Sequence, residues 1–317
     1  MQLFQNLADV HLPQPTVLTI GTFDGLHRGH QDVINQLKTA AKNRQAQTAV
    51  IAFHPRPKAL FAPQHFNNDY LTTPNERIFL FKQLGIDVLI LIPFTIDLAQ
   101  TPAFDFIQQL TQKVNLVQLC VGHDFALGKN REGTIEKLAK LGNEFNYTVS
   151  EIKPFTLDGT IVSSTQVRKH LLMGNVRNAA HLLGRYPSFE SHIVQGDKRG
   201  RNIGFPTANF AVPIERLLPK NGVYATFFQY AGNKYSSVTN VGVRPTFDGA
   251  NSRTVETHIF DFDQDIYGQP ATLEFVERLR PEKKFNGLDT LISQITKDAA
   301  IAKSILETEA PVLDKIQ

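Results

Sequence analysis

The apolar positions of the first half fall into short unbroken runs separated by longer stretches of mixed polarity. Thr16–Ile20, Ala49–Phe53, Asp87–Ile92 and Leu116–Val121 are runs of strand length. Between them, residues from about Gly29 to Arg44, Asn75–Leu84 and Phe104–Lys113 carry a helical pattern, the second with Pro74 just before it. Unbroken apolar strands alternating with helices predict βαβ units and a parallel sheet covered on both faces. Such sheets bind ligands beyond the carboxyl ends of their strands. The loops after Ile20, Phe53 and Val121 are therefore where chemistry is expected.

The pattern changes in the second half. Val223–Gln229, Ser236–Asn240, Val255–Phe260 and Ala271–Phe275 are short, rich in β-branched and aromatic residues, and separated by Gly, Pro, Asn and Asp. That pattern predicts an antiparallel barrel or sandwich. A last proline-free segment, Leu288–Leu306, gathers Leu288, Leu291, Ile292, Ile295, Ala299, Ala302, Ile305 and Leu306 near one helical face. The shift in character places a domain boundary near Gly184–Ser191, giving expected domains of 1–184 and 185–317.

Composition narrows the function. Residues 1–184 hold 17 basic and 14 acidic groups and the remainder 16 of each, so neither half has the basic surplus of a general nucleic-acid binder. The one cysteine, Cys120, excludes an intramolecular disulfide and any multi-cysteine metal site, and its apolar run marks it as a small buried hydrophobe. No apolar run is long enough to span a bilayer, and the first basic residue is Arg28. The expectation is a soluble cytoplasmic protein with no membrane, nucleic-acid or obligate protein partner.

Gly21-Thr-Phe-Asp-Gly-Leu-His-Arg-Gly-His30 follows a strand and opens a helix. There, backbone N–H groups and the helix dipole hold phosphates, and glycine lets the main chain approach them. Gly21, Phe23, Asp24 and Gly25 are candidate ATP-binding residues, and one helical turn brings His27 and His30 towards one anion. Two imidazole donors suit charge on a transferring α-phosphoryl group. A zinc site is disfavoured, since no third soft ligand stands near. The loop from Gly122 to Arg131 resembles a P-loop, but five residues separate Gly122 from Gly128 and Asn130 replaces the Ser/Thr for magnesium, so it is not one. Asp124, Gly128 and Arg131 remain candidates for nucleotide binding against the reading of a plain polar loop. Ser163, Ser164 and Thr165 begin another helix as caps or phosphate ligands, with Arg168 one turn in.

These blocks, with FHPRP at 53–57, resemble the adenylyltransferase module of the bifunctional riboflavin kinase/FMN adenylyltransferases. The resemblance implies a Rossmann-like nucleotidyltransferase fold and ATP bound by His27, His30, Ser164, Thr165 and Arg168. A phosphate oxygen of FMN then attacks the α-phosphorus, giving FAD and pyrophosphate.

Downstream, Gly196-Asp-Lys-Arg-Gly200-Arg-Asn-Ile-Gly204-Phe-Pro-Thr207-Ala-Asn209 spaces its glycines every fourth residue. A flexible basic loop carrying Gly196, Lys198, Gly200, Arg201 and Gly204 suits anionic phosphates. On an extended chain Thr207 and Asn209 face one side and are candidate neutral oxygen ligands for Mg²⁺, against the reading of a β-turn followed by an ordinary strand. Glu256 stands in an alternating strand and is a candidate general base. GRNIGFPTANF, NGVYAT, NVGVRPTF, VETHIFDFDQDIYG and LRPEKKF resemble the riboflavin kinase module of the same family. The resemblance implies a six-stranded antiparallel barrel and Mg·ATP held through Thr207 and Asn209. It also implies flavin contacts from Glu256 and Arg244, with Glu256 deprotonating the ribityl 5′-hydroxyl. Two places depart from the family pattern: Tyr186-Pro187 reverses the usual Pro-Tyr, and His123 precedes Asp124. The nearest rival is a monofunctional adenylyltransferase whose barrel binds flavin without phosphorylating it. A farther one is a non-catalytic flavin or nucleotide sensor.

Overall fold

The computed structural model describes residues 1–61, 69–196, 200, 203–245 and 251–309, the side chains of residues 244, 245, 251 and 252 excepted. The chain divides into two compact units, Met1–Ser163 and the residues from Ser164 onward.

The first unit runs β1 (Gln2–Phe4), β2 (Leu12–Gly21), α1 (Arg28–Asn43), β3 (Gln47–Phe53), α2 (Pro57–Phe61), α3 (Pro74–Gln83) and β4 (Val88–Ile92). It continues with α4 (Ile96–Gln100), α5 (Ala103–Lys113), β5 (Val114–Gly122), α6 (Ile135–Phe145), β6 (Thr148–Ile152) and the small hairpin β7 (Thr156–Leu157) and β8 (Thr160–Ile161). The main sheet is parallel throughout, in the order β1-β4-β3-β2-β5-β6. Its apolar strands are buried on both faces, as their unbroken runs predict. One core packs α5 and α6 through Phe106, Ile107, Leu110 and Leu138. The other packs α1 and α3 through Ile34, Leu37, Ala41 and Phe81 and includes Cys120, which is 2% exposed. The strand order turns around between β2 and β5, so the crevice at their carboxyl ends is the expected ligand position. Several elements escape the apolar pattern: β1 and β6 are short outer strands, α6 follows the polar loop after β5, and α2, α4, β7 and β8 are each five residues or fewer.

The second unit begins with α7 (Ser164–Met173) and α8 (Val176–Leu183). Strands β9 (Ser188–Val194), β10 (Ala208–Phe210), β11 (Gly222–Tyr230), β12 (Asn233–Pro245), β13 (Asn251–Ile259) and β14 (Pro270–Arg280) follow, and α9 (Leu288–Thr308) closes it. The six strands form a closed antiparallel barrel in the order β10-β13-β12-β11-β14-β9, deciding between barrel and sandwich. Closure removes the exposed edges that a small open sheet would leave. Phe189, Tyr224, Phe228 and Phe275 are among its largest fully buried side chains. A fully buried hydroxyl chain, Ser237–Thr226–Thr239–Thr257, has links of 2.7, 2.7 and 2.9 Å. A second core joins Ala225 and Val238 to Ala302 and Leu306 of α9. Leu288, at the start of the predicted apolar face of α9, is 57% exposed, because packing on the barrel comes from farther along the helix. Helices α7 and α8 pack in this unit: α8 lies on β14, and Gly174 between the helices approaches Arg278 so closely that a Cβ there would sit 2.5 Å from its Cδ.

Candidate active sites

In the first unit the turn from β2 into α1 is built from left-handed backbone at Phe23 (φ 49°), Gly25 (φ 84°) and Leu26 (φ 39°). Gly25 is needed twice over, since a Cβ there would also lie 2.7 Å from Leu71 Cδ1. Asp24 is 1% exposed, and its carboxylate accepts the Leu71 and Thr72 backbone N–H groups and the Thr72 hydroxyl at 3.0–3.2 Å. The Arg56 guanidinium lies 3.6 Å from Asp24 and pairs with Asp69. Asp24 thus shapes the turn by tying it to residues 69–72.

His27 is the N-cap of α1, its Nδ1 accepting the His30 backbone N–H at 3.3 Å. A nitrogen that accepts there carries no proton, which leaves Nε2–H as the donor of the neutral ring. The two imidazoles stack with centroids 3.7 Å apart and planes 19° from parallel. The histidines meet, as their spacing predicts, but through a cap and a stacked pair. Phe23 packs edge-on against His30, centroids 5.1 Å apart. The first turn of α1 also lies against the chain leading to Ser163: a Cβ on Gly29 would sit 3.2 Å from the Val162 carbonyl oxygen. Ser164, Thr165 and Arg168 fall in the first two turns of α7, in the second unit.

The loop after β5 is closed on itself. Leu127 and Gly133 exchange backbone hydrogen bonds, and Arg131 Nη2 donates to the Asp124 carbonyl oxygen at 2.7 Å. Asp124 keeps its carboxylate 84% exposed. Gly128 (φ +76°) lets the loop pass Ala103, whose N would lie 2.6 Å from a Cβ. Asp124, Gly128 and Arg131 are thereby brought into one turn.

The second unit assembles its candidate site from strand register. On β13, Glu256 stands opposite Asn209 of β10 on one side and Asn240 of β12 on the other. Glu256, Asn240 and Thr207 line a cavity of about 340 Å³ whose apolar walls include Phe205, Phe285, Leu291 and Ile295. Thr207 also lines a neighbouring cavity of about 400 Å³, with Thr257, Phe262, Asp263, Asp265 and Tyr267. Asn209 lies instead against Gly196, where a Cβ would come within 2.3 Å of its amide nitrogen. Gly200 is pinned by Phe205, whose N–H donates to its carbonyl at 2.9 Å, and Gly204 is left-handed (φ +84°). Lys198 and Arg201 lie outside the described residues, and Arg244 is placed only by its backbone, opposite Ser252 on β13.

Composition and spacing alone did not single out Asn240, His258, Phe285 or Asp298 as site residues. His258 donates from Nδ1 to the Pro206 carbonyl at 2.8 Å, fixing the chain just before Thr207. Asp298, 3% exposed on α9, takes Arg280 Nε and Nη2 at 2.7–3.0 Å and the Gln294 amide at 3.0 Å. Its one sequence signal is a carboxylate one residue before Ala299, on the apolar side of α9. Leu291 and Ile295 did belong to the predicted apolar face.

Comparison with known proteins decides the family. Residues 9–166 match the family model described as FAD synthetase, and 183–306 the one described as riboflavin kinase. The bifunctional riboflavin kinase/FMN adenylyltransferase of Escherichia coli K12 is 36% identical over 93% of this chain and 94% of its own length. The chain belongs to the bifunctional riboflavin kinase/FMN adenylyltransferase family. Members from Listeria monocytogenes (34% identity, 89% of this chain, 90% of that protein) and Haemophilus influenzae (34%, 97% and 100%) agree. A crystal structure from Streptococcus pneumoniae described as a macrolide-efflux protein matches with TM-score 0.86 at 31% identity, over 95% of this chain and 98% of that one. Among the described residues of this family member, no helix is long and apolar enough to cross a membrane.

Proposed function

We propose that this chain phosphorylates riboflavin to FMN with ATP and then adenylylates FMN with a second ATP, giving FAD and pyrophosphate. The observation that carries the reading is the pair of adjoining cavities in the second unit that share Thr207. One has an aromatic and aliphatic lining suited to a flavin ring and holds Glu256. The other, with Phe262 and Tyr267 beside polar groups, suits an adenosine. A triphosphate reaching from the second cavity towards Thr207 brings its γ-phosphorus to the mouth of the first, beside the base. Residues 185–317 carry this kinase, and residues 1–184 the adenylyl transfer.

In the kinase, Glu256 accepts the proton of the ribityl 5′-hydroxyl as that oxygen attacks the γ-phosphorus, and ADP leaves. Phosphoryl transfer depends chiefly on position and charge neutralisation, so one base suffices. Thr207, just before β10, and Asn209 on it offer hard neutral oxygen donors, and Gly196 leaves the Asn209 amide room that a Cβ would fill. That donor set fits Mg²⁺. Bound there, Mg²⁺ supplies charge neutralisation to the ATP phosphates. Gly196, Lys198, Gly200, Arg201 and Gly204 hold the phosphates, and Arg244 contacts the flavin.

In the adenylyltransferase, His27 and His30 face the α-phosphoryl group from the entrance of α1. Gly21, Phe23, Gly25, Asp124, Gly128, Arg131, Ser163, Ser164, Thr165 and Arg168 complete the ATP site. Asp24 serves that site by setting the turn. The FMN phosphate is itself the nucleophile, already ionised at neutral pH, so no general base is required. The enzyme works in the cytoplasm on free flavins and Mg·ATP, without nucleic acid, membrane or an obligate protein partner.

Chromatography of products from the purified chain with ATP and Mg²⁺ tests both halves. Riboflavin is expected to yield FMN and then FAD, and FMN supplied separately to yield FAD. FAD from FMN with no product from riboflavin would reduce the barrel to a flavin-binding module.

A further inference from the structure

Arg77, on the first turn of α3, is fully buried. Its Nη1 donates to two carbonyl oxygens at once, Thr22 at 2.9 Å and Phe53 at 2.8 Å. Thr22 is the first residue past β2 on the way to His27, and Phe53 is the last of β3. One guanidinium nitrogen therefore ties together the carboxyl ends of two central strands at the crevice. One turn along the same helix, Phe81 packs edge-on against Phe23 at 5.5 Å, and Phe23 in turn packs against His30 at 5.1 Å. Arg77 and Phe81, spaced to share a helix face, thus grip two consecutive residues of the turn. The second of these, Phe23, is held in left-handed backbone (φ 49°), a conformation that persists only where its surroundings enforce it. The entry to α3 is itself rigid: Thr73 and Glu76 form a reciprocal capping box after Pro74 takes the first helical position.

We propose that Arg77 is a positioning residue for adenylyl transfer. It sets the His27–His30 pair through Thr22 and Phe23 without touching substrate, and it adds a fixed positive charge at the strand ends where the triphosphate binds. The inference rests on the assignment of adenylyl transfer to this turn. A guanidinium serves both carbonyls because its donors are several and planar, and its charge is permanent. Lysine keeps the charge but is shorter and lacks the fixed planar direction of the Nη1 donors, whereas glutamine loses the charge.

The test compares Arg77→Gln, Arg77→Lys and His30→Ala in the full chain, each assayed for both reactions. Loss of precise placement acts on turnover, so Arg77→Gln is expected to lower the adenylyltransferase kcat about 10-fold or more. Its KM for FMN should stay within about threefold and its kinase rate unchanged, with Arg77→Lys falling between it and the parent. In Arg77→Lys, amide exchange of residues 21–27 is expected to quicken while that of β4 holds. A turnover within about twofold of the parent in Arg77→Gln, a loss confined to KM, or Arg77→Lys as impaired as Arg77→Gln would overturn the proposal. Should Arg77→Gln not fold, Arg77→Lys decides alone: parental turnover with parental exchange at 21–27 overturns it, and slower turnover with faster exchange supports it. FAD formation at the parental rate in His30→Ala would instead remove the underlying site assignment, and this inference with it.

Discussion

In the first unit, His27 and His30 stand three residues apart on one helix entrance, and the turn before them follows directly on β2. In the second, Thr207, Asn240 and Glu256 come from three separate stretches and meet only because β10, β12 and β13 pair in one register. In the function proposed above both sites handle the phosphates of ATP, one through a helix terminus and stacked imidazoles and the other through a carboxylate beside a hydroxyl. The difference follows from the chemistry. A nucleophile that is already an anion needs its target's charge stabilised, whereas a neutral hydroxyl must also lose a proton.

If that division is right, the largest effect belongs to the base. Glu256→Gln keeps size and hydrogen bonding but cannot take the ribityl proton, so steady-state kinase turnover should fall about 10²–10⁴-fold. Next comes His30→Ala, which removes one donor to the α-phosphoryl group and should slow FAD formation from FMN by about 10²–10³-fold. The scaffolds can be separated as well. Thr226→Val takes one buried hydrogen-bond partner each from Ser237 and Thr239, which keep the Thr226 carbonyl and the Thr257 hydroxyl, so the barrel should lose about 1 kcal/mol of stability by denaturant titration. The first unit's core should be indifferent to that change.

The smallest effect is at Cys120, where burial pushes the thiol up to about 11 from its ordinary value of 9.0. The thiol stays protonated in the folded state while the unfolded chain ionises, so stability falls as pH rises through 9 and levels off near 11. Labelling by a thiol reagent at pH 8 should accordingly be slow in the native protein and fast in denaturant.

How far the chain could be read before folding follows the same contrast. The apolar runs located four strands of the parallel sheet, because burial on both faces leaves a run unbroken. The outer strands β1 and β6 lack that burial and escaped notice. The histidine pair was legible because its geometry is local. Glu256 drew attention in its strand, but its neighbours Asn209 and Asn240 are set by pairing register, which spacing along one segment does not reveal. Asp298 was hidden more deeply, since its role depends on Arg280 from another element. Asp24 reads as an ATP-binding residue in the sequence, whereas the fold spends its carboxylate on Leu71 and Thr72.

The central claim is that one chain holds two chemically independent phosphate sites. The direct test is product analysis of Glu256→Gln and His30→Ala, each given riboflavin and, separately, FMN with Mg·ATP. Glu256→Gln should leave riboflavin nearly untouched and still turn FMN into FAD at the parental rate, while His30→Ala should convert riboflavin and stop at FMN. Loss of both reactions in either folded variant would contradict the independence of the sites.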